Sequence, residues 1–252
     1  TAVEKMLRTA PKHKSSEKLL AGLKERRAKI RKQIETQRQQ KKGGTNAFSV
    51  KKEGAAQVVL VGATNTGKST LLQQLTGAQV EIASYKFTTK KPEVGILDYH
   101  GVKIQVVEIP AIVDHFADTK AGPSLLSIIR NADLMVYLFR TAGEKALLDP
   151  ELADVGVDTL IYNNQENLPD LLWRRLGLIK VCTKQPGKEK DYPPLPLPMG
   201  STVEDVVKTI HKDFIKRFRF ARVFGKSAKF DGQQVGLSHA LQDDDVVEFH
   251  IT

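Results

Sequence analysis

One stretch constrains this chain more than any other: Gly62-Ala63-Thr64-Asn65-Thr66-Gly67-Lys68-Ser69. It satisfies G-x-x-x-x-G-K-[ST] and lies between an apolar run, Val58-Val59-Leu60-Val61, and a helical stretch from Ser69 to Leu75. That strand–loop–helix setting is what the motif's chemistry needs. Glycines let the backbone wrap a phosphate chain, and the helix N-terminus adds unsatisfied N–H groups and a favourable dipole. Lys68 is expected to neutralise β/γ-phosphate charge and Ser69 to ligate Mg²⁺. Gly62, Asn65, Thr66, Gly67 and Thr70 complete the expected phosphate cradle.

The segments beyond it alternate between strand and helix. Val94-Gly95-Ile96-Leu97 and Ile104-Gln105-Val106-Val107 read as strands with Gly101 in the turn between them. Leu125 to Ile129 reads as helix, and Leu134 to Phe139 as another buried strand. Such alternation predicts a parallel sheet covered on both faces.

If the loop serves a nucleotide switch, two further elements should follow. Lys86-Phe87-Thr88-Thr89 comes about twenty residues after Lys68, where Thr88 or Thr89 would close onto the γ-phosphate and Mg²⁺. Glu108-Ile109-Pro110-Ala111 follows a strand, where D-x-P-G is usual. There Glu108 would reach Mg²⁺ through water and the Ala111 N–H would meet the γ-phosphate. Glu lengthens the arm by one methylene and Ala stiffens the loop, so binding should survive these changes better than hydrolysis. Ile112 stands where a water-positioning Gln is common, and an apolar side chain cannot orient water.

Charge is unevenly placed. Residues 1–53 carry 16 Lys+Arg against 5 Asp+Glu, a net +11, whereas the remaining 199 residues carry a net −1. A block of this kind reads as a footprint for a polyanion, the plainer reading being a solvated helix with few acids. Leu19, Leu23, Ile30 and Ile34 form a narrow apolar stripe, predicting a helical hairpin that is basic outside. A single cysteine, Cys182, excludes a disulfide framework and any multi-cysteine zinc site. No apolar run approaches the ~20 residues of a membrane span, and residues 1–20 do not read as a secretory signal. A cytoplasmic location away from membranes is the expectation.

The C-terminal part has its own pattern. Ile179-Lys180-Val181-Cys182 is strand-like and leads to a proline-rich stretch, Tyr192 to Pro198. Ser201-Thr202-Val203-Glu204 reads as a capping box. Its helix is expected to bury Val203, Val206, Val207, Ile210, Phe214 and Phe218, with Lys212, Lys216, Arg217 and Arg219 outside. Strands around Ala221 to Phe224 and Val246 to Phe249 complete a β-grasp-like module.

Together these features resemble the developmentally regulated GTP-binding proteins of the Obg-like, translation-associated branch. The basic hairpin, Phe87-Thr88-Thr89, the Glu108 to Ile112 loop and Ala132-Asp133 carry the likeness. The more specific match is C-terminal. Trp173 to Leu178, Thr183-Lys184-Gln185-Pro186-Gly187, Phe224-Gly225-Lys226-Ser227-Ala228 and Gly236-Leu237-Ser238-His239 resemble that family's TGS domain, as does Leu241 to Val247. The resemblance implies an α/β fold: a P-loop GTPase-type parallel sheet with an N-terminal α-helical hairpin and a C-terminal β-grasp (TGS) module. The expected boundaries are 1–53, 54–178 and 179–252. It also implies a GTP-hydrolysing factor acting with the ribosome, with rRNA or tRNA met by residues 1–53 and the TGS module, and room for a protein cofactor.

Several residues depart from the family pattern. Asn65 stands where Ser is more frequent, and Asn is the residue with which potassium-activated GTPases hold K⁺ beside the phosphates. No intact N-K-x-D is present to read guanine. Asn163-Asn164-Gln165-Glu166 is either a degenerate version, with Asn163 and Glu166 at the base, or a loop ahead of the Leu168 to Leu176 helix. The family's inserted subdomain is absent, leaving 125 residues from Gly54 to Leu178. The expected function is a switch that binds GTP/GDP and hydrolyses GTP slowly, with Lys68, Thr89 and Glu108 as its catalytic residues. The alternatives are a non-hydrolysing scaffold on the ribosome and a P-loop ATPase.

Overall fold

A computed structural model describes residues 48–77, 91–164, 167–210 and 214–251. The expected basic hairpin lies outside these residues, as do Thr88 and Thr89. The chain divides into two units, 1–47 and 48–252, and the described residues all belong to the second.

The first sheet is built on β1 (Gln57–Gly62), buried along its whole length. It continues through β2 (Glu93–Tyr99), β3 (Val102–Glu108), β4 (Leu134–Leu138) and β5 (Thr159–Ile161), in the spatial order β2-β3-β1-β4-β5. β1 pairs in parallel with β3 and β4, and β4 in parallel with β5. β2 runs antiparallel to β3, as an edge strand on an otherwise parallel sheet. The physical reason is brevity: the two-residue turn His100-Gly101 can join only antiparallel neighbours, because a parallel pair needs a crossover of a dozen residues or more.

Alternate residues of the central strands feed two cores. Val58, Leu60, Ile104, Val106, Leu134 and Val136 face α1 (Lys68–Thr76) and α4 (Leu168–Arg175). Val59, Val61, Val107, Met135 and Tyr137 face α2 (Gly122–Asn131) and α3 (Ala142–Leu152). A strand buried on both faces must be apolar at every position, which is why β1 and β4 read as unbroken runs.

The second sheet contains β6 (Leu178–Lys184), β7 (Leu195–Pro198), β8 (Phe218–Phe224), β9 (Gln233–Val235) and β10 (Val246–Ile251), in the order β7-β6-β10-β8-β9. One face is closed by α5 (Val203–Ile210), whose Val203, Val206 and Val207 pack on Ile179, Val181, Val223 and Val247. A further turn of helix, α6 (Phe214–Arg217), precedes β8. Three details differ from expectation. The capping pair is Thr202 with Asp205, one residue later than expected: both the N–H and the hydroxyl of Thr202 donate to Asp205 Oδ2, at 2.8 and 3.0 Å. Ile210 is exposed rather than buried, and Phe218 and Arg219 belong to β8 rather than to the helix. The reason is that apolar residues four apart in a helix and two apart in a strand overlap where one element runs into the next.

The two sheets meet at the β2–β3 turn. The Tyr99 ring stacks on Trp173 of α4 at 4.9 Å, and Lys180 Nζ of β6 lies 5.9 Å from both ring centroids. Tyr99 donates its hydroxyl proton to Asp170 at 2.8 Å. Burial, reinforced by that bond, pushes its pKa up to about 12. Burial alone would lower Lys180, but its bonds to Asp244 and Asp243 outweigh this and hold it above the ordinary lysine range. Both groups keep their protons in the fold at a pH where the unfolded chain releases them, so stability falls as pH rises. The unfolding midpoint is therefore expected to drop between about pH 10 and pH 12, and less steeply in Tyr99→Phe. Parallel pH profiles for the two proteins would refute this. Burial also pushes the Cys182 thiol up, in keeping with a packing role rather than a reactive one.

Candidate functional site

The site forms at the carboxyl ends of β1, β3 and β4, where open α/β sheets present their ligand crevices. Parallel pairing sets Gly62 opposite Leu138. A Cβ at Gly62 would stand 2.3 Å from the Leu138 carbonyl oxygen and 2.8 Å from Thr66 Oγ1, so no larger residue fits. The loop then turns through two left-handed residues, Asn65 (φ 60°) and Gly67 (φ 90°). Glycine adopts this freely and Asn is among the few other residues that tolerate it. Thr66 Oγ1 closes the loop by donating to the Ala63 carbonyl at 3.0 Å. Gly67 begins α1 with no side chain capping it, and the first turn holds no acid, so its N–H groups suit an anion.

Lys68 is only 6% exposed. Its Nζ donates to the carbonyls of Gly62 (3.1 Å) and Ala63 (2.7 Å), which stretches the ammonium across the loop's mouth. Ser69 Oγ donates to Glu108 Oε1 at 2.8 Å. That contact follows from register: β3 pairs with β1 so that Glu108 ends its strand opposite Leu60, beside the loop. The backbone beyond Glu108 is tied to the same strand, Ile109 N–H to Leu60 O at 3.0 Å and Ile112 N–H to Gly62 O at 3.2 Å. The Ile112 side chain, 2% exposed, is packed in the second core and turned away from any ligand.

A hydroxyl and a carboxylate are hard oxygen donors, and Mg²⁺ characteristically takes one or two of these plus phosphates and water. Ser69 and Glu108 fit that pattern, whereas no cluster of three or more His, Cys, Asp or Glu occurs among the described residues. The surrounding cavity holds about 550 Å³. Of the expected site residues, Asn65, Thr66, Gly67, Lys68, Ser69, Thr70, Glu108 and Ala111 all line it.

Asn163 does not line it. It stands two residues past β5, and its neighbour Asn164 (φ 57°) accepts the Tyr162 hydroxyl at 3.1 Å. Gln165 and Glu166 lie outside the described residues, and α4 starts at Leu168. Five lining residues are not among those expected: Thr64, Lys91, Glu93, Pro110 and Arg140. Arg140 has a readable signal, since it directly follows an apolar run just as the phosphate loop follows β1.

Two family models match the chain: "50S ribosome-binding GTPase" over residues 57–167 and "TGS domain" over residues 179–251. An uncharacterized GTP-binding protein of Methanocaldococcus jannaschii is 29% identical over 354 aligned positions, covering 97% of this chain and 90% of that one. Human developmentally-regulated GTP-binding protein 2 is 25% identical, covering 98% and 96%. Ribosome-interacting GTPase 1 of Saccharomyces cerevisiae is 26% identical, again covering 98% and 96%. The alignment of 354 positions exceeds the 252 residues of the chain, so at least 102 positions have no counterpart here. A phosphate loop with its serine and carboxylate at one sheet's edge and a TGS domain behind it agree with the relatives: the chain carries a GTPase domain and a TGS domain and is similar over nearly its whole length to the developmentally regulated GTP-binding proteins.

Proposed function

We propose that this protein is a guanine-nucleotide switch that binds GTP with Mg²⁺, hydrolyses it slowly and acts at the ribosome. The observation that carries the reading is the 2.8 Å contact between Ser69 and Glu108 beside Lys68, which draws the P-loop hydroxyl and the carboxylate ending β3 to one point. Ser69 would hold the metal directly and Glu108 through water, and the metal would neutralise charge on the transferred phosphoryl group. Lys68 holds the β/γ-phosphates, and Thr88 or Thr89 closes over the γ-phosphate. Slowness follows from Ile112, whose burial leaves no group at that position to orient an attacking water.

The same burial favours a second reading, a nucleotide-binding scaffold without hydrolysis. Titrating GTP, GDP and ATP and measuring phosphate release with and without ribosomes separates the two from each other and from an ATPase. The switch predicts GTP and GDP binding in preference to ATP, with slow release that ribosomes raise. Tight GTP binding without release supports the scaffold, and ATP preference overturns both. Asn65 lines the cavity, so faster turnover in K⁺ than in Na⁺ buffer is expected; equal rates remove the K⁺ role.

Ribosome association is supported by the name of the yeast relative and by the +11 block of residues 1–53. Several phosphate contacts from that block predict a steep loss of RNA affinity with salt, and most of the affinity should vanish when residues 1–53 are deleted.

A further inference from the structure

Arg140 lines the phosphate cavity yet belongs to none of the elements that make a P-loop site. Its place is set by sheet pairing: β4 lies against β1 with Leu138 opposite Gly62, so a residue two positions later emerges beside the first turn of the phosphate loop. Two reciprocal bonds fix its backbone there. The Arg140 N–H donates to Glu144 Oε2 at 2.7 Å, and the Glu144 N–H donates to Thr141 Oγ1 at 3.2 Å, closing a capping arrangement at the start of α3. Glu144 is thus engaged with backbone. The side chain of Arg140 is exposed and makes no ion pair among the described residues.

The chemistry of the cavity calls for such a group. Glu93 and Glu108 bring two negative charges to the lining of a site that must hold a polyphosphate, and Lys68 and Lys91 do no more than balance them. A guanidinium presents five donors in a planar fork matched to phosphate oxygens and keeps its charge at any working pH. We infer that Arg140 is a phosphate-contacting residue of the nucleotide site, holding the polyphosphate of a nucleoside di- or triphosphate from the β4 side. This rests on the reading of the cavity as a nucleotide site.

The test is GTP affinity of the full chain, measured calorimetrically for wild type, R140A, R140K and R130A, the last an exposed arginine in the final turn of α2. R140A is expected to bind about 10- to 100-fold more weakly, from the loss of a charge-assisted contact. R140K should recover part of that loss and R130A should match wild type. The thermal midpoint should not move, because the bonds that fix this turn come from the backbone of residue 140 and the side chains of Thr141 and Glu144. A smaller dependence of affinity on salt in R140A is expected as well. A merely structural role would lower the midpoint and would gain nothing from lysine, so that pattern overturns the inference. If wild type binds GTP and R140A binds it equally, Arg140 is no ligand. If wild type binds no nucleotide, the reading of the cavity itself has failed.

Discussion

Replacing Lys68 with alanine is expected to weaken GTP binding by about a hundredfold or more while leaving the protein folded. The lysine is the first residue of α1, a position where alanine is favourable, so the helix itself has no reason to melt. What is lost is an ammonium held over the loop by the carbonyls of Gly62 and Ala63. Each hydrogen bond to a charged group contributes about 1.5–3 kcal/mol, and two such contacts on adjacent phosphates amount to a factor on the order of 10² to 10⁴. Lys68→Arg should not rescue fully, because a longer planar group must fit where an almost buried ammonium now sits. Fluorescent-nucleotide titration beside a thermal melt decides the matter. Wild-type affinity in a folded Lys68→Ala variant would sink the nucleotide assignment.

The phosphate loop is legible in the sequence because its parts are contiguous and each has one chemical task, so the pattern is complete before any folding is known. Glu108 is legible for a related reason: it ends an apolar strand, and strand ends converge at one edge of such a sheet. Arg140 is harder to see, since it joins the site only through the pairing of β4 with β1, a long-range fact. α3 leaves little trace because its apolar positions are few and Pro150 interrupts them. β7 hides inside a proline-rich stretch, Leu195-Pro196-Leu197-Pro198, that argues against a strand; it survives because it is the edge of its sheet, where missing N–H donors do least harm. The overrun of α5 into β8 comes from phenylalanines whose spacing suits a helix as well as a strand. The base-reading segment is ambiguous for a different reason. Asn163 sits past the end of a three-residue strand, outside the cavity lining, so its chemistry is not constrained by the residues that fix the phosphates.

Trp173→Ala is expected to destabilise the fold more than any of the other substitutions. The indole is 3% exposed and closes the first core at the last turn of α4. It also carries the stacked Tyr99 ring at 4.9 Å and lies beneath the Lys180 ammonium. Truncation removes the transfer energy of the ring and leaves a cavity that α4, the β2–β3 turn and β6 cannot fill without moving. Large aromatic-to-alanine changes of this kind cost about 3–5 kcal/mol, a substantial share of the roughly 5–15 kcal/mol by which a domain is stable. Tyr99→Ala should cost less, and the double variant should fall short of the sum, since each substitution already breaks the same stack. The nucleotide site should be less affected than the fold. Glu108 ends β3 at the opposite end from the turn that Tyr99 leads into, and the pairing of β3 with β1 does not involve the indole. At low temperature the folded fraction of Trp173→Ala should therefore bind GTP nearly as wild type does. Denaturant unfolding and a GTP titration on the same preparation check both halves. A loss under about 1 kcal/mol would mean that the stack is not a principal tie between the two sheets. A parallel collapse of GTP affinity would instead mean that the hairpin transmits the state of its turn to Glu108.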